Sequence, residues 1–168
     1  LGFTSYLKDA EYICLQKDLS LLSGNRFGSK RSAYNYFVKH YSYTYLPFEP
    51  QMQNVCLNLY KEWGNERSMK YKDTLFNALL GDSYHANKTA MADGHGLTGR
   101  VVLVDGSLKA YTFGYRLNND VFCILFKVAD LKIKGLAQFI FREFSRELSS
   151  YRYINIMDAS GLDNLKKV

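Results

Sequence analysis

The stretch VFCILFKVADLKIKGLAQ, residues 121–138, determines how the rest of the sequence is interpreted. Its first eight residues are nearly all apolar, which is typical of a strand buried on both faces. The segment 134–149 then places apolar side chains at helical spacing along one face. The sequence therefore predicts a central strand, a loop that contains a glycine, and an amphipathic helix.

Strand signals flank this segment on both sides. Residues 100–104 form an apolar run that ends at Asp105-Gly106, a strong hairpin signal, and 108–117 would be the returning strand. A further buried strand is predicted over 153–157, followed by a last helix from Gly161. A helix between two neighbouring strands implies a parallel or mixed sheet.

The first half of the chain is mostly helical by the same criteria. Residues 5–22 read as a helix or as a strand followed by a helix, and 91–99 as a loop. The other predicted elements are a helix over 29–41 capped by Ser29, a strand over 43–46, a helix over 50–63, and a helix over 70–80 that ends at Gly81.

Composition limits the class of protein. The 168 residues suffice for one domain with a core, and 22 Lys+Arg against 16 Asp+Glu give a net charge of +6, which favours anionic partners. Three scattered cysteines make no disulfide framework, and with three histidines they show no zinc spacing, so no metal site is predicted. No apolar run reaches the ~18 residues of a membrane span. We expect a cytoplasmic segment of a longer protein, at the membrane face if membrane helices precede it.

The loop before the amphipathic helix is the first candidate site. A helix that opens at Gly135 offers unpaired N–H groups and a partial positive charge, and Lys132 and Lys134 stand beside it. A bound anion would relieve the repulsion between these lysines and the partial positive charge at the start of the helix. The alternative is an ordinary turn with solvated lysines. The predicted anion-binding residues are Lys132, Lys134, Gly135, Leu136, Ala137 and Gln138.

Three other features of the sequence allow both a functional and a purely structural interpretation. Asp158, directly after a buried strand, could orient or deprotonate an acceptor, although a helix N-cap is the favoured reading, and Asp130 is equally ambiguous. Gly114 could admit a ligand, form a bulge or accommodate a large neighbour. The basic and aromatic residues of 30–41 suit RNA, but an amphipathic connector helix is favoured.

The second half of the chain resembles the core of a GNAT-fold acyltransferase (general control N-acetyltransferase superfamily). The order of elements agrees, and the superfamily's cofactor loop Arg/Gln-x-x-Gly-x-Gly/Ala is matched by residues 132–137, with Lys132 in place of Arg or Gln. The resemblance implies an α/β (α+β) fold with a mixed, mostly antiparallel sheet flanked by helices. It also implies that the anion is the pyrophosphate of an acyl-coenzyme A.

A closer resemblance covers nearly the whole chain and is to the bacterial family related to the C-terminal domain of phosphatidylglycerol lysyltransferase. It is carried by residues 22–27 with Lys30-Arg31, 104–106, 110–114, 134–135 with 138–140, and 155–161 with Leu165 and Lys166. It implies that residues 1–45 are the tail of a preceding GNAT-like unit and a connector helix, and that 46–168 are a GNAT-like domain truncated at its C-terminal end. In these relatives the donor is an aminoacyl-tRNA.

Two functions are therefore expected. The first is a transferase that moves an acyl or aminoacyl group from acyl-CoA or aminoacyl-tRNA to an amine or hydroxyl, with no tightly bound cofactor and with Asp158 acting on the acceptor. The second is a catalytically degenerate GNAT-like domain that binds RNA, an anionic lipid headgroup or protein. The predicted partners are the phosphate-bearing donor, tRNA or anionic lipid, and the preceding unit of the same protein.

Overall fold

The predicted division into a mostly helical first half and a second half rich in strands agrees with the secondary structure. The protein is described from a computed structural model over residues 11–70, 74–93 and 96–157. The helices are α1 (Gln16–Leu21), α2 (Gly28–His40), α3 (Gln53–Lys70), α4 (Thr74–Asp93) and α5 (Leu136–Glu147). The strands are β1 (Ile13–Leu15), β2 (Tyr43–Pro47), β3 (Thr98–Val104), β4 (Ser107–Arg116), β5 (Val121–Ala129) and β6 (Tyr153–Asn155). Short 3-10 turns cover Asn25–Phe27 and Pro50–Met52.

The strands form one mixed sheet in the order β1-β6-β5-β4-β3-β2. Every neighbouring pair is antiparallel except β5 and β6, which are parallel because α5 connects them. The predicted α+β class, with a mixed and mostly antiparallel sheet flanked by helices, is confirmed.

Helices cover both faces of the sheet, because side chains of a strand alternate between faces. One face packs against α3 and α4, and the other against α2 and α5. The first core contains Cys56, Leu57, Leu59, Tyr60, Met91, Val101, Tyr111, Phe113 and Val128, and the second contains Phe37, Val102, Val104, Ala110, Ala129, Leu136, Phe139 and Ile140. Burial of each large apolar side chain contributes roughly 1.5–3 kcal/mol.

The predicted helix end at Gly81 is wrong, since α4 continues to Asp93, and the loop predicted over 91–99 is shorter at both ends because β3 begins at Thr98. A glycine inside a helix costs about 1 kcal/mol relative to alanine. Contacts on both sides of Gly81 outweigh that cost. Before it, the Tyr60 hydroxyl donates to the Leu80 carbonyl at 3.0 Å; after it, buried Asn87 accepts from the Tyr111 hydroxyl at 2.9 Å. Met91 also lies in the core.

The predicted Ser29 cap of α2 is also wrong. The helix begins at Gly28, Phe27 occupies the capping position, and no side chain caps the helix. Packing holds α2 instead, because Phe37 is fully buried and its ring lies 4.7 Å from that of Phe139. Other predicted elements differ only at their ends, and the helix predicted from Gly161 lies outside the described residues.

Candidate functional site

The parallel strands β5 and β6 separate after three residue pairs. Their ladder runs from Val121 to Cys123 of β5, and among the described residues no strand pairs with that edge beyond Cys123. A cavity of about 730 Å³ opens there. Its walls come from β5, α5, the segment from residue 12 to residue 30, and Ile156 after β6. The lining residues are Tyr12, Ile13, Cys14, Leu15, Asp18, Leu19, Arg26, Phe27, Lys30, Ile124, Leu125, Phe126, Lys127, Gln138, Phe141 and Ile156.

The floor of the cavity includes a β-bulge. Phe113 of β4 pairs with Phe126, whereas Gly114 pairs with Ile124, so Leu125 has no partner residue on β4. An extra residue in one strand leaves backbone groups outside the ladder and bends the strand. The bulge also shifts the alternation of side chains, which places Lys127 against the ring of Phe141 on α5.

Gly114 lies beside this bulge, and its surroundings leave no room for a side chain. A Cβ at that position would lie 2.3 Å from the Cys123 carbonyl oxygen and 2.4 Å from Cε1 of Phe122. Two of the three readings of Gly114 therefore hold: it adjoins a bulge, and a large neighbour fills the space that a side chain would need.

The cavity carries more positive than negative charge. Arg26 pairs with Asp18. Lys30 and Lys127 also line the cavity, and neither forms an ion pair with a carboxylate among the described residues. An anionic group of a ligand would be attracted into this cavity.

Lys127 has the most perturbed environment of these cations. Desolvation by the surrounding protein, followed by the positive charges of Lys30 and Arg67, lowers the pKa of Lys127 to about 8. Its side chain is nevertheless exposed. Both facts fit a group on the wall of an open cavity, where some water enters but protein displaces most of the bulk solvent.

Of the predicted anion-binding residues, only Gln138 lines the cavity. Its Nε2 atom is buried and has no hydrogen-bond partner among the described residues. Lys132 forms a salt bridge to Glu66 at 2.8 Å, and Lys134 lies over the ring of Tyr36 at 4.4 Å. Leu136 is fully buried in the core and Ala137 is exposed.

Gly135 has a structural role at the start of α5. It adopts φ +86°, and a Cβ there would lie 2.1 Å from the Ala33 carbonyl oxygen of α2. The glycine that the sequence assigned to anion binding is therefore required for the contact between two helices. The anion-binding role of residues 132–138 stays a prediction.

Asp158 lies outside the described residues, but the chain leading to it is constrained. Asn155 is buried, and its Oδ1 accepts the Met157 N–H at 2.8 Å. Met157 adopts φ +64°, which is uncommon for a non-glycine residue. The role of Asp158 remains a prediction.

Asp130 is held by the turn after β5. It accepts the Lys132 N–H at 2.9 Å and the Lys109 ammonium at 3.0 Å. Burial alone would raise the pKa of Asp130, but these hydrogen bonds and the nearby positive charges outweigh burial and lower it. This geometry favours a structural role.

We expect Asp130 to contribute to acid lability. Because its pKa is lower in the folded state, its contribution to stability is present above the unfolded pKa of about 3.9 and is lost as pH falls through the folded value. Asp130→Asn should therefore flatten the decline of the urea midpoint below about pH 4. Equal declines in the variant and the parent protein would contradict this assignment.

The Lys30-Arg31 pair divides between two roles. Arg31 donates to the carbonyl oxygens of Leu22 and Gly24, the residues at and after the end of α1. Lys30 lines the cavity. Arg31 therefore stabilises the chain after α1, and Lys30 lies in the candidate site.

Sequence reasoning missed Lys127 as a site residue. The available signal was a lysine within an otherwise apolar strand, where charged residues are costly unless they have a task or reach solvent.

Residues 1–166 match the family model described as "Phosphatidylglycerol lysyltransferase, C-terminal", and the chain belongs to this family. None of the curated proteins compared with the chain matches it. In the described ranges, no helix is long and apolar enough to cross a membrane, and no group of three or more His, Cys, Asp or Glu residues could hold a metal ion.

Solved structures show the same fold. A conserved protein of unknown function from Bacteroides thetaiotaomicron has 32% identity and a TM-score of 0.83, over 94% of this chain and 53% of that chain. The C-terminal domain of a proposed lysylphosphatidylglycerol synthetase from Agrobacterium fabrum has 11% identity and a TM-score of 0.51, over 88% of this chain and 46% of that chain. A functionally unknown conserved protein from Staphylococcus epidermidis has 13% identity and a TM-score of 0.52, over 93% of this chain and 52% of that chain. The chain therefore spans about half the length of these relatives.

Proposed function

We propose that the protein is a transferase that moves an acyl or aminoacyl group from a phosphate-bearing donor to an amine or hydroxyl acceptor. The donor is an acyl-coenzyme A or an aminoacyl-tRNA. One observation carries this proposal: the cavity beside the edge of β5 where β6 leaves it. Family membership supports the same reaction class.

The open edge of β5 suits a donor that is extended and bears amides. Backbone groups at a strand edge can pair with such a chain as another strand would. Leu125 lines the cavity and has no partner residue on β4, and we assign to its backbone N–H the hydrogen bond to the carbonyl oxygen that gains negative charge. Positioning of both substrates would supply most of the remaining rate enhancement.

The reaction balances without a redox partner. The lone pair of the acceptor nitrogen or oxygen forms a bond to the acyl carbon, and the bond from that carbon to the donor's sulfur or ribose oxygen breaks. The acceptor loses a proton, and the leaving thiolate or alkoxide gains one. Asp158 is the proposed group that orients the acceptor or accepts its proton.

The second candidate is a catalytically degenerate domain that binds a phosphate-bearing ligand, such as RNA, without transfer. The positions of Lys132 and Lys134 favour it, because neither lines the cavity and each already has a partner. Binding without turnover would support this candidate over the transferase.

Donor binding can be tested by thermal unfolding of the 168-residue chain with acetyl-coenzyme A or with aminoacylated tRNA. A donor at about 100 times its Kd should raise the Tm by roughly 5–10 °C. Ile13→Trp, at an exposed cavity residue, should reduce this shift by filling the cavity.

Val38→Trp is the matched control, since Val38 is also exposed but does not line the cavity. It should leave the shift unchanged. If neither donor raises the Tm of the parent protein, the proposed function is wrong. If Val38→Trp abolishes the shift as fully as Ile13→Trp does, the donor binds elsewhere.

A further inference from the structure

Two lysines in the cavity are held by aromatic rings and not by carboxylates. The Lys127 ammonium lies 4.4 Å from the centre of the Phe141 ring, and the Lys30 ammonium lies 5.9 Å from that of Phe27. Arg26 also lies over the Phe27 ring but has Asp18 as its ion-pair partner. An aromatic face attracts a cation without accepting its N–H groups in fixed directions. Both ammonium groups therefore keep donors for a ligand.

The two lysines also interact unfavourably. The positive charge of Lys30 is one of the causes that lower the pKa of Lys127. An anion between them would relieve this repulsion and accept charge-assisted hydrogen bonds from both. Gln138 adds a third donor to the same cavity, because its buried Nε2 has no partner among the described residues.

The loop before α5 is a poorer position for the same anion. Lys132 is neutralised by Glu66, and Lys134 does not line the cavity. At the start of α5, the Ala33 carbonyl oxygen lies 2.1 Å from where a Cβ of Gly135 would be, and its partial negative charge would repel an anion on that side.

We infer that Lys30 and Lys127, with Gln138, form an anion subsite inside the cavity that binds the phosphate groups of the donor. This inference rests on the proposed function and moves the phosphate position away from residues 132–137. The shared chemistry is a phosphate or pyrophosphate group, whether it belongs to coenzyme A or to the backbone of tRNA.

Inorganic pyrophosphate is the first probe, with its Kd measured by calorimetry on the 168-residue chain at about pH 7. Lys127→Gln and Lys30→Gln should each weaken binding on the order of tenfold or more, because each removes a charge-assisted hydrogen bond. Lys39→Gln is the matched control for net charge, since Lys39 is exposed on α2 and does not line the cavity. It should change the Kd little.

Protonation of Lys127 provides a second, independent readout. A bound anion favours the charged ammonium, so binding should weaken as pH rises from about 7 to about 9 through the pKa of Lys127. Lys127→Arg stays charged over that range and should bind without this loss. Pyrophosphate also changes its charge over this pH range, but this change affects its binding to Lys127→Arg and to the parent protein equally. The difference between the two proteins therefore reports the protonation of Lys127. The other charged or titratable groups facing Lys127 are Tyr12, Cys14, Asp18, Arg26 and Lys30 in the cavity and Arg67 of α3.

Competition identifies the source of the phosphate. Coenzyme A or uncharged tRNA should displace pyrophosphate from the parent protein. Displacement by coenzyme A indicates an acyl-coenzyme A donor, and displacement by tRNA indicates an aminoacyl-tRNA donor. If Lys134→Gln abolishes pyrophosphate binding while Lys127→Gln does not, the anion lies at the loop, and this inference fails while the proposed function stands. If the parent protein binds neither pyrophosphate, coenzyme A nor tRNA, both fail. If Lys127→Gln does not fold, equal pH dependence of Lys127→Arg and the parent protein would overturn the role of Lys127.

Discussion

Gly135→Ala should destabilise the protein by about 3–5 kcal/mol, a large part of the stability of a domain of this size. Two costs add. The residue adopts φ +86°, where a side chain is strained, and the new methyl group would lie 2.1 Å from the Ala33 carbonyl oxygen. That oxygen belongs to the backbone of α2 and cannot rotate away, so the two helices must move apart. The buried contact between Phe37 and Phe139 would then loosen. Chemical denaturation of the variant measures the loss.

Gly106→Ala separates the two costs. Gly106 has a similar φ of +78°, but no atom lies within 4 Å of the position of its Cβ. It should lose only the conformational part, about 1–2 kcal/mol. If both variants lose the same free energy, the close approach of α2 to α5 contributes nothing, and strain alone explains Gly135.

The elements that the sequence predicted well are those with local causes. The hairpin turn between β3 and β4 needs positive φ at two adjacent residues, and Asp105-Gly106 supplies them with φ of +50° and +78°. Helix α5 was predicted from its amphipathic period, because one face must meet the sheet while the other meets water. Both signals lie within a few consecutive residues.

The errors and omissions arise where the cause is a residue far along the chain. Gly81 looks like a helix end, but α4 continues because its later residues contact Tyr111 of β4 and the core. The closeness of Gly135 to the Ala33 carbonyl oxygen is visible only in the fold, while the anion-binding role predicted for Gly135 stays a prediction. In the sequence, Lys127 is only a charged residue within an apolar strand. The cavity that it lines exists because β6 separates from β5, and the residues of β5 alone do not show that separation.

The same reasoning explains how little of the cavity the sequence could show. Of the predicted anion-binding residues only Gln138 lines the cavity, and residues 132–137 do not. The opposite wall comes from residues 12–30, more than ninety positions earlier in the chain. No period or motif within either segment shows that the two meet, so Lys30 and Lys127 could be assigned to one site only from the structure.

Gly114→Ala should cost about 3 kcal/mol and also disturb the cavity. Its methyl group would lie 2.3 Å from the Cys123 carbonyl oxygen and 2.4 Å from the Phe122 ring. Neither can yield easily, since the oxygen is backbone and the ring is buried against Phe144. Displacing β5 at Cys123 would shift the adjacent bulge at Leu125, which lies on the cavity floor. We therefore expect loss of donor binding even at temperatures where the variant remains folded.

Gly99→Ala is the matched control for this effect on binding. Gly99 lies one strand away in β3 and is also crowded, but the nearest atoms to its Cβ position belong to the side chains of Phe113 and Phe48. Relief requires a shift of the Phe113 ring and the Phe48 side chain at a cost of about 1–3 kcal/mol, and no backbone atom of β5 is among these nearest atoms. This variant should lose stability yet still bind pyrophosphate and the donor as the parent protein does. Unfolding midpoints and binding constants for the two variants would separate stability from site geometry. If Gly114→Ala binds normally once folded, the bulge does not shape the site.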